Sequence, residues 1–178
     1  MPKFAWEASL WSMTIDDLNT MDRISFVAAI GWIFEHSPWV AERAWDMRPF
    51  QKTEALHRAM VLQVERASRS EQLALLRAHP DLGTRARLSH ASASEQSGAG
   101  LDQLTREEFD LLTRLNDSYK DKFGFPFLFA VKGSTKYDIL KALEMRLPSA
   151  PEDEYTEALR QVYRIAEFRL NDYLSEEN

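Results

Sequence analysis

The stretch of sequence that decides the fold is EDEYTEALRQVYRIAEFRLNDYL, residues 152–174, which has the spacing of one long α-helix. Its apolar residues recur every three or four positions, and this stripe consists of Tyr155, Leu159, Val162, Ala166, Leu170 and Tyr173. Such a stripe faces the core of a helical protein, and at about 100° per residue Arg169 lies roughly 60° from its centre. We therefore expect a half-buried guanidinium group. It needs an anionic or carbonyl partner, unless it extends to solvent or pairs with an Asp or Glu side chain.

Helix start and stop signals extend this pattern over most of the chain. Two capping boxes, Thr14-Ile-Asp-Asp17 and Thr105-Arg-Glu-Glu108, predict helices near 15–19 and 106–122. Hydrophobic spacing and prolines predict further helices at 21–36, from Pro38 through Trp45, and at 53–69, 71–78 and 135–147. The sequence therefore predicts an all-α fold, a single domain over 1–178 that forms a bundle of about eight helices. Residues 1–14 would be a peripheral N-terminal segment.

One segment does not fit the helical pattern. Residues 123–131, FGFPFLFAV, resemble a β-strand, but Pro126 removes a ladder donor and no second strand is available to pair with them. We expect an extended buried connection near 123–131. Its backbone amides would lack sheet partners, and because buried amides need acceptors, a bound ligand is one group that could satisfy them.

Composition excludes several classes of protein. The chain has 178 residues, of which 44% are hydrophobic, as is typical of a folded globule, and it contains no cysteine. Disulfides, thiolate zinc sites, iron–sulfur clusters and cysteine nucleophiles are therefore excluded. The net charge of -6 has the wrong sign for binding nucleic acid, so we expect no such partner.

Nothing in the sequence predicts membrane insertion or targeting. The longest apolar run, Phe26 to Phe34, has nine residues, whereas a membrane-spanning helix needs about 20. The N-terminus lacks an apolar signal segment, and Ser-Glu-Glu-Asn at the C-terminus is not a peroxisomal signal. We therefore expect a cytoplasmic protein that does not bind membranes.

The loop His79-Pro80-Asp81-Leu82-Gly83 concentrates acid/base groups at a helix end. A residue before proline avoids the α region, so the helix at 71–78 should end there. The partial negative charge at a helix C-terminus favours imidazolium, and His79 could therefore titrate near neutral pH. The simpler interpretation is a histidine whose ring is hydrogen-bonded to a nearby carbonyl group.

The segment Ser92-Ala-Ser-Glu95-Gln96 has two interpretations. The Ser-x-x-Glu spacing is that of a capping box, in which Ser92 begins a helix and Glu95 closes its N-terminus. The following Ser-Gly-Ala-Gly-Leu-Asp is a poor helix continuation, so such a helix would be very short. In that case the cap would serve chiefly to orient these side chains for binding or catalysis.

A metal site is one alternative use of the histidines. His79, Asp81 and His90 offer imidazole and carboxylate ligands for a metal-dependent hydrolase, although their spacing matches no compact ligand pattern. The sequence contains no glycine-rich phosphate loop, no G-x-S-x-G and no H-E-x-x-H motif. Nucleotide binding and serine hydrolysis are therefore disfavoured.

A helical interaction module without catalysis is the second alternative. The aromatic residues Trp39, Trp45 and Phe168 could form its contact surface, and Phe168 lies toward the polar side of the helix at 152–174. This hypothesis predicts a protein partner and no small-molecule ligand.

Seven short segments share their order and spacing with one enzyme family. They are Leu18-Asn-Thr-Met-Asp, Phe34-Glu-His-Ser-Pro-Trp, Arg48-Pro-Phe, His79-Pro-Asp-Leu-Gly, Ser92-x-x-Glu95-Gln96, Lys122-Phe-Gly-Phe-Pro-Phe and Arg169-Leu. From Leu18 to Leu174 the chain resembles the 2-oxo-4-hydroxy-4-carboxy-5-ureidoimidazoline (OHCU) decarboxylase family. The resemblance implies an all-α protein, usually a homodimer, that works without a cofactor or metal.

The resemblance also implies a reaction, the conversion of OHCU, a small-molecule substrate, to (S)-allantoin in urate degradation by a carboxy-lyase. The substrate carboxylate lies on a carbon that bears a hydroxyl group and adjoins a C=N bond. Because the electrons left by carbon dioxide can flow into the ring, neither pyridoxal phosphate nor thiamine is needed.

By the family's motif, three residues of this chain are catalytic. His79 is the acid/base beside the scissile carboxylate, Glu95 accepts hydrogen bonds from substrate N–H groups, and Arg169 presents its planar fork to a substrate carbonyl. The implied substrate-binding residues are Pro80, Ser92 and Gln96, together with the backbone of Phe127, Leu128, Phe129, Ala130 and Val131. A ligand bound there would give the amides of the extended connection their partner.

Overall fold

The computed structural model describes residues 13–84 and 88–174, and in these ranges the chain is all-α. Its nine α-helices there are α1 (Ile15–Thr20), α2 (Arg23–Ile30), α3 (Trp39–Ala44), α4 (Thr53–Arg66), α5 (Arg69–Arg77), α6 (His90–Gly98), α7 (Arg106–Phe123), α8 (Lys136–Arg146) and α9 (Pro151–Tyr173). A single 3-10 turn, Trp45–Met47, follows α3. The predicted all-α fold is confirmed, and α6 lies where the sequence indicated at most a very short helix capped by Ser92.

The N-terminal segment 1–14 falls almost entirely outside the described residues. Of its members, Met13 forms an isolated bridge with Leu174, and the Thr14 side chain caps α1. None of the helices in the described ranges is both long and apolar enough to cross a membrane.

Side-chain caps explain where several helices begin. The two predicted capping boxes are present, with Thr14 and Asp17 at α1 and Thr105 and Glu108 at α7. Two more cap α5 and α8. Each such cap typically contributes about 1 kcal/mol of stability, because it satisfies amides that the first turn leaves without partners.

Helix α9 forms the centre of the hydrophobic core, as its stripe predicts. It packs against α4, α5 and α7. Tyr155, Leu159, Val162, Ala166 and Leu170 of the stripe are buried in the same continuous cluster, and Tyr173 packs at its edge. This helix therefore places Arg169 inside the protein.

The predicted helix at 21–36 is wrong in its second half. Helix α2 ends at Ile30, and the residues from Gly31 to His36 form turns and bends, in which His36 adopts a left-handed conformation with φ 46°. The apolar residues Ile33 and Phe34 remain buried. The hydrophobic pattern thus marked the buried residues correctly but not the backbone conformation, because the carbonyls of this turn bind a side chain that is distant in sequence, as described below.

The interpretation of Ser92 as a helix cap is also wrong. Helix α6 begins one turn earlier, where the Ser89 side chain accepts a hydrogen bond of 3.2 Å from the Ser92 amide. Ser89 has the same spacing to Ser92 that an N-cap needs, and the helix it starts runs for nine residues rather than one short turn. Ser92 and Glu95 therefore lie one helical turn apart on a helix that needs neither for its cap.

The connection after α7 is buried and has no helix or strand, as predicted. Helix α7 stops at Gly124, which is left-handed with φ 77°, and Phe127 is fully buried. Two backbone groups of this connection are bonded by side chains of neighbouring helices. Arg146 Nη1 donates to the Leu128 carbonyl at 2.8 Å, and the Ala130 amide donates to Gln161 Oε1 at 2.9 Å. The expectation that its amides lack protein partners is therefore wrong for Ala130.

Candidate active site

The fold brings together ten of the eleven residues predicted to form a site, around one small cavity of about 20 Å3. Its lining consists of His79, Pro80, Leu82, Ser92, Glu95, Gln96, Phe127, Leu128, Phe129, Val131, Ile165 and Arg169. Leu82 and Ile165 are additional apolar walls. We call this space the inner cavity. It has room for about one water molecule.

The eleventh predicted residue, Ala130, lines an adjoining outer pocket of about 280 Å3. The outer pocket shares four residues with the inner cavity, namely Glu95, Val131, Ile165 and Arg169. Its other walls are Ser94, Gly98, Lys132, Gly133, Phe168 and Asp172. The side chains of Glu95 and Arg169 therefore border both spaces.

His79 lies directly after α5 and is bound to it. Its Nδ1 lies 2.9 Å from the Leu75 carbonyl. Because a carbonyl only accepts, Nδ1 carries the proton and Nε2 is the basic nitrogen of the neutral ring. Burial is the largest influence and lowers the pKa of His79 to about 4, although the Leu75 carbonyl and the charge of Glu35 oppose it. The prediction that His79 titrates near neutral pH is therefore wrong, because burial outweighs the helix dipole.

Arg169 is held by two carboxylates. Its Nε donates to Glu95 Oε1 at 2.6 Å and its Nη2 to Glu95 Oε2 at 3.1 Å, so that the pair is bidentate. Nη2 also donates to Glu35 Oε2 at 2.9 Å. Burial opposes the charge on the guanidinium, but the two carboxylates outweigh it and raise the pKa of Arg169. The open alternative of an ion pair is the one that this structure contains.

The turn after α2 completes the surroundings of Arg169. Nη1 donates to the carbonyls of Ile33 at 3.3 Å and Trp32 at 3.5 Å. In a continued helix these carbonyls would bind amides one turn later. Here they face a side chain more than 130 residues away in sequence, which accounts for the end of α2 at Ile30.

Glu35 is the charged residue of the site that sequence reasoning missed. It is buried, and Ser92 Oγ donates to its Oε2 at 3.0 Å. Burial would raise the pKa of Glu35, but hydrogen bonds from Ser89 and the charge of Arg169 outweigh this effect and lower it. The segment Phe34-Glu-His-Ser-Pro-Trp was noted only for its family resemblance, and a helix over 21–36 gave no reason to place Glu35 at a site.

Gln96 connects α6 to the loop that follows His79. Its Oε1 accepts a hydrogen bond of 2.9 Å from the Gly83 amide. Gly83 is left-handed with φ 74°, and a Cβ atom there would lie 2.5 Å from Leu112 Cδ2. Glycine is therefore required at this position, and Gln96 holds the loop in the conformation that places His79 at the cavity.

The residues proposed as metal ligands are not assembled into a metal site. Asp81 pairs with Lys120 at 2.6 Å, and His90 is exposed at the start of α6. Within 13–84 and 88–174 there is no group of three His, Asp, Glu or Cys side chains that could hold a metal ion. The metal-dependent hydrolase therefore has no site in this part of the chain.

The aromatic residues proposed as an interaction surface pack against cations of their own chain. The Arg43 guanidinium lies 4.5 Å from the Trp39 ring centre, and the Arg48 guanidinium lies 4.0 Å from that of Trp45. Phe168 is half-buried and lines the outer pocket. The ring faces of Trp39 and Trp45 are therefore covered by arginines of the same chain, which does not favour the interaction module.

Comparison with known proteins identifies the family. The sequence model of the OHCU decarboxylase family matches residues 19–171. This chain belongs to the OHCU decarboxylase family. It is 47% identical to the 2-oxo-4-hydroxy-4-carboxy-5-ureidoimidazoline decarboxylase of Haloferax volcanii over 93% of this chain and 98% of that protein. The recognition made from the sequence motifs is confirmed.

A longer relative and two solved structures extend the comparison. The chain is 48% identical to the uric acid degradation bifunctional protein PucL of Bacillus subtilis, over 92% of this chain but only 33% of that protein. It superposes on a crystal structure of (S)-allantoin synthase with a TM-score of 0.76 at 33% identity, covering 91% of this chain and 54% of that one. A crystal structure of OHCU decarboxylase in the presence of (S)-allantoin gives a TM-score of 0.67 at 24% identity, over 88% of this chain and 100% of that one, and supports the shared fold.

Proposed function

We propose that this protein decarboxylates OHCU to (S)-allantoin, without a cofactor, as a step of urate degradation. The observation that carries the proposal is the convergence of His79, Glu95 and Arg169 on one cavity in a member of the OHCU decarboxylase family. These residues come from three distant parts of the chain, so a shared cavity is not a consequence of sequence proximity.

The protonation state of His79 suits the base of this reaction. At neutral pH its ring is uncharged, and Nε2 can accept the proton of the substrate hydroxyl group as carbon dioxide leaves. The electron pair of the broken C–C bond flows into the adjoining C=N bond, and the ring nitrogen takes a proton from solvent. The imidazolium then returns its proton to the carbon that becomes the stereocentre of allantoin. A positioned acid/base contributes about 10²- to 10⁴-fold to the rate.

The remaining polar groups would orient the ring. Glu95 accepts from substrate N–H groups, Arg169 donates to a substrate carbonyl, and Ser92 and Gln96 complete the rim. Holding the substrate so that its carboxylate stands out of the ring plane aligns the breaking bond with the C=N system, and this orientation contributes further to the rate.

The function is tested by coupling this protein to freshly made 5-hydroxyisourate and its hydrolase, while circular dichroism follows (S)-allantoin. We expect rapid formation of one enantiomer. Decay at the spontaneous rate to a racemic product would contradict the proposed activity.

Assembly and location are further parts of the proposal. The family resemblance supports a homodimer, which sedimentation velocity of the purified chain tests directly. A cytoplasmic location is part of the same proposal, and fractionation of the producing cells tests it.

A further inference from the structure

A second carboxylate, the buried Glu35, binds Arg169 and borders a separate pocket with His36 and Ser89. The Glu35 side chain is 2% exposed and the Arg169 side chain 4%, whereas the Glu95 side chain is 28% exposed. Glu35 does not line the inner cavity or the outer pocket. The two carboxylates that bind Arg169 therefore differ in their freedom to move.

The partners of Arg169 divide into two groups by origin. The turn after α2 supplies Glu35 and the carbonyls of Trp32 and Ile33. Glu35 and Ile33 are buried, whereas Trp32 is partly exposed. Helix α6 supplies Glu95 at the border of the two cavities. If Glu95 turns away, Arg169 still has a carboxylate and two carbonyl partners.

The size of the inner cavity is consistent with such a movement. A space of about 20 Å3 cannot contain a ring that carries a carboxylate and a ureido group. The bidentate pair of Glu95 and Arg169 borders both the inner cavity and the larger outer pocket. If Glu95 turned away, Nε and Nη2 of Arg169 would become available to donate hydrogen bonds to a substrate.

We propose that Glu35 is the positioning residue that holds Arg169 and Ser92 in place, and that compensates the charge of Arg169, when Glu95 turns to the substrate. This inference rests on the proposed decarboxylase function. Without Glu35, a buried guanidinium would lose its counter-charge whenever Glu95 left it, which is costly in a site of low polarity. Arg169 would then either stay paired with Glu95 or move toward solvent. In the first case Glu95 is not available to the substrate, and in the second case Arg169 is not.

The test compares Glu35→Asp with Glu35→Gln. Glutamine has nearly the volume of glutamate but no charge, whereas aspartate keeps the charge on a shorter side chain. If Glu35 compensates Arg169, kcat/KM falls about ten-fold or more in Glu35→Gln, and Glu35→Asp recovers part of that loss. A role in packing alone predicts the opposite order, with Glu35→Gln at least as active as Glu35→Asp.

A stability cycle gives a readout that does not depend on turnover. Glu35→Gln and Glu95→Gln each leave Arg169 one carboxylate, but the double variant leaves it none. We therefore expect the double variant to lose more in melting temperature than the sum of the two single losses. Additive losses would overturn the assignment of Glu35 as the alternative counter-charge.

Glu108→Gln is the matched control. Glu108 is a half-buried carboxylate that pairs with Lys136 at 2.5 Å, and it lies outside both cavities. Its variant should lose stability while kcat and KM stay at the wild-type values. Wild-type protein without activity would overturn the proposed function and this inference with it, whereas active wild type with the order expected for packing would overturn this inference alone.

Discussion

Two arginine clusters contact residues of the inner cavity, and they differ in which member is exposed to solvent. In the Arg169 cluster the arginine is buried and one acid, Glu95, lies at a cavity. In the Arg146 cluster, which consists of Arg146, Glu154 and Tyr119, the acid is the most buried charged member, with 1% of its side chain exposed.

The partners of the Arg146 cluster leave it no alternative arrangement. Arg146 Nε donates to Glu154 Oε1 at 2.9 Å, and the Tyr119 hydroxyl donates to the same carboxylate. The guanidinium also lies 4.5 Å from the Phe127 ring centre and bonds the Leu128 carbonyl. This cluster therefore holds the 123–131 connection in place, whereas the Arg169 cluster has one partner that a ligand can replace. The two clusters thus differ in the exposure of an acid. Glu154 is fully buried and holds a neighbouring segment, whereas Glu95 is partly exposed and can bind a ligand.

The largest effect on turnover is expected at His79, which lies beside the Arg169 cluster. His79→Ala removes the proposed base while leaving the surrounding helices intact, so kcat should fall about 10²- to 10⁴-fold. The coupled circular dichroism assay measures the loss, and far-ultraviolet circular dichroism checks the fold. Near-normal turnover in a folded variant would remove His79 from its proposed role.

Replacing each arginine by lysine separates the two clusters next. Lysine keeps the charge but cannot form the planar bidentate contact, so Arg169→Lys should lower kcat/KM about 10²-fold. Arg146→Lys should lower the free energy of unfolding, because the Leu128 carbonyl loses its donor, and should change kcat/KM by less than about ten-fold. Steady-state kinetics and urea unfolding of both variants check the contrast, and equal kinetic losses would erase it.

Replacing the acid of each cluster by glutamine should also separate the two clusters, through the loss in the free energy of unfolding. Glu154→Gln leaves the charge of Arg146 without its buried partner and should cost about 3 kcal/mol in the free energy of unfolding. Glu95→Gln leaves Arg169 with Glu35 and should cost no more than about 1 kcal/mol, while kcat/KM falls strongly. Chemical denaturation measures both; a larger stability loss for Glu95→Gln would mean that Glu35 does not support Arg169.

The last prediction concerns His79, which lies next to the Arg169 cluster, and its contribution to the pH dependence of the free energy of unfolding. Burial lowers the pKa of His79 to about 4 in the folded protein, from 6.5 in the unfolded chain. Protonation therefore favours the unfolded chain, and the contribution of His79 is fully present above pH 6.5 and is lost as the pH falls toward 4. It amounts to about 2 kcal/mol between pH 7 and pH 5. Urea unfolding at both pH values should show a smaller decline in His79→Asn than in the wild type, and equal declines would contradict the pKa.

Local chemistry made several features predictable from the sequence. The capping boxes at Thr14 and Thr105 involve groups three residues apart, and both are present. The stripe on α9 depends only on helical spacing, and it placed Arg169 correctly in the interior. Family motifs selected ten residues that line one cavity.

Two of the errors arise from interactions across long sequence separations. The end of α2 at Ile30 depends on carbonyls that bind Arg169, and the low pKa of His79 depends on burial by several helices. The start of α6 is a different kind of error. Ser89 and Ser92 lie three positions apart and could both cap a helix, and in the structure Ser89 is the N-cap.

By itself the sequence determined most of the helices, their buried faces, the family and ten residues that line the inner cavity, because periodicity, caps and motifs are properties of short segments. Only the tertiary structure decided which partners Arg169 has, since its guanidinium finds Glu35 and Glu95 through the packing of α9 against the turn after α2 and against α6. Hydrogen bonds and ion pairs of buried groups depend on three-dimensional proximity. Glu35 is therefore the part of the site that no local pattern could predict.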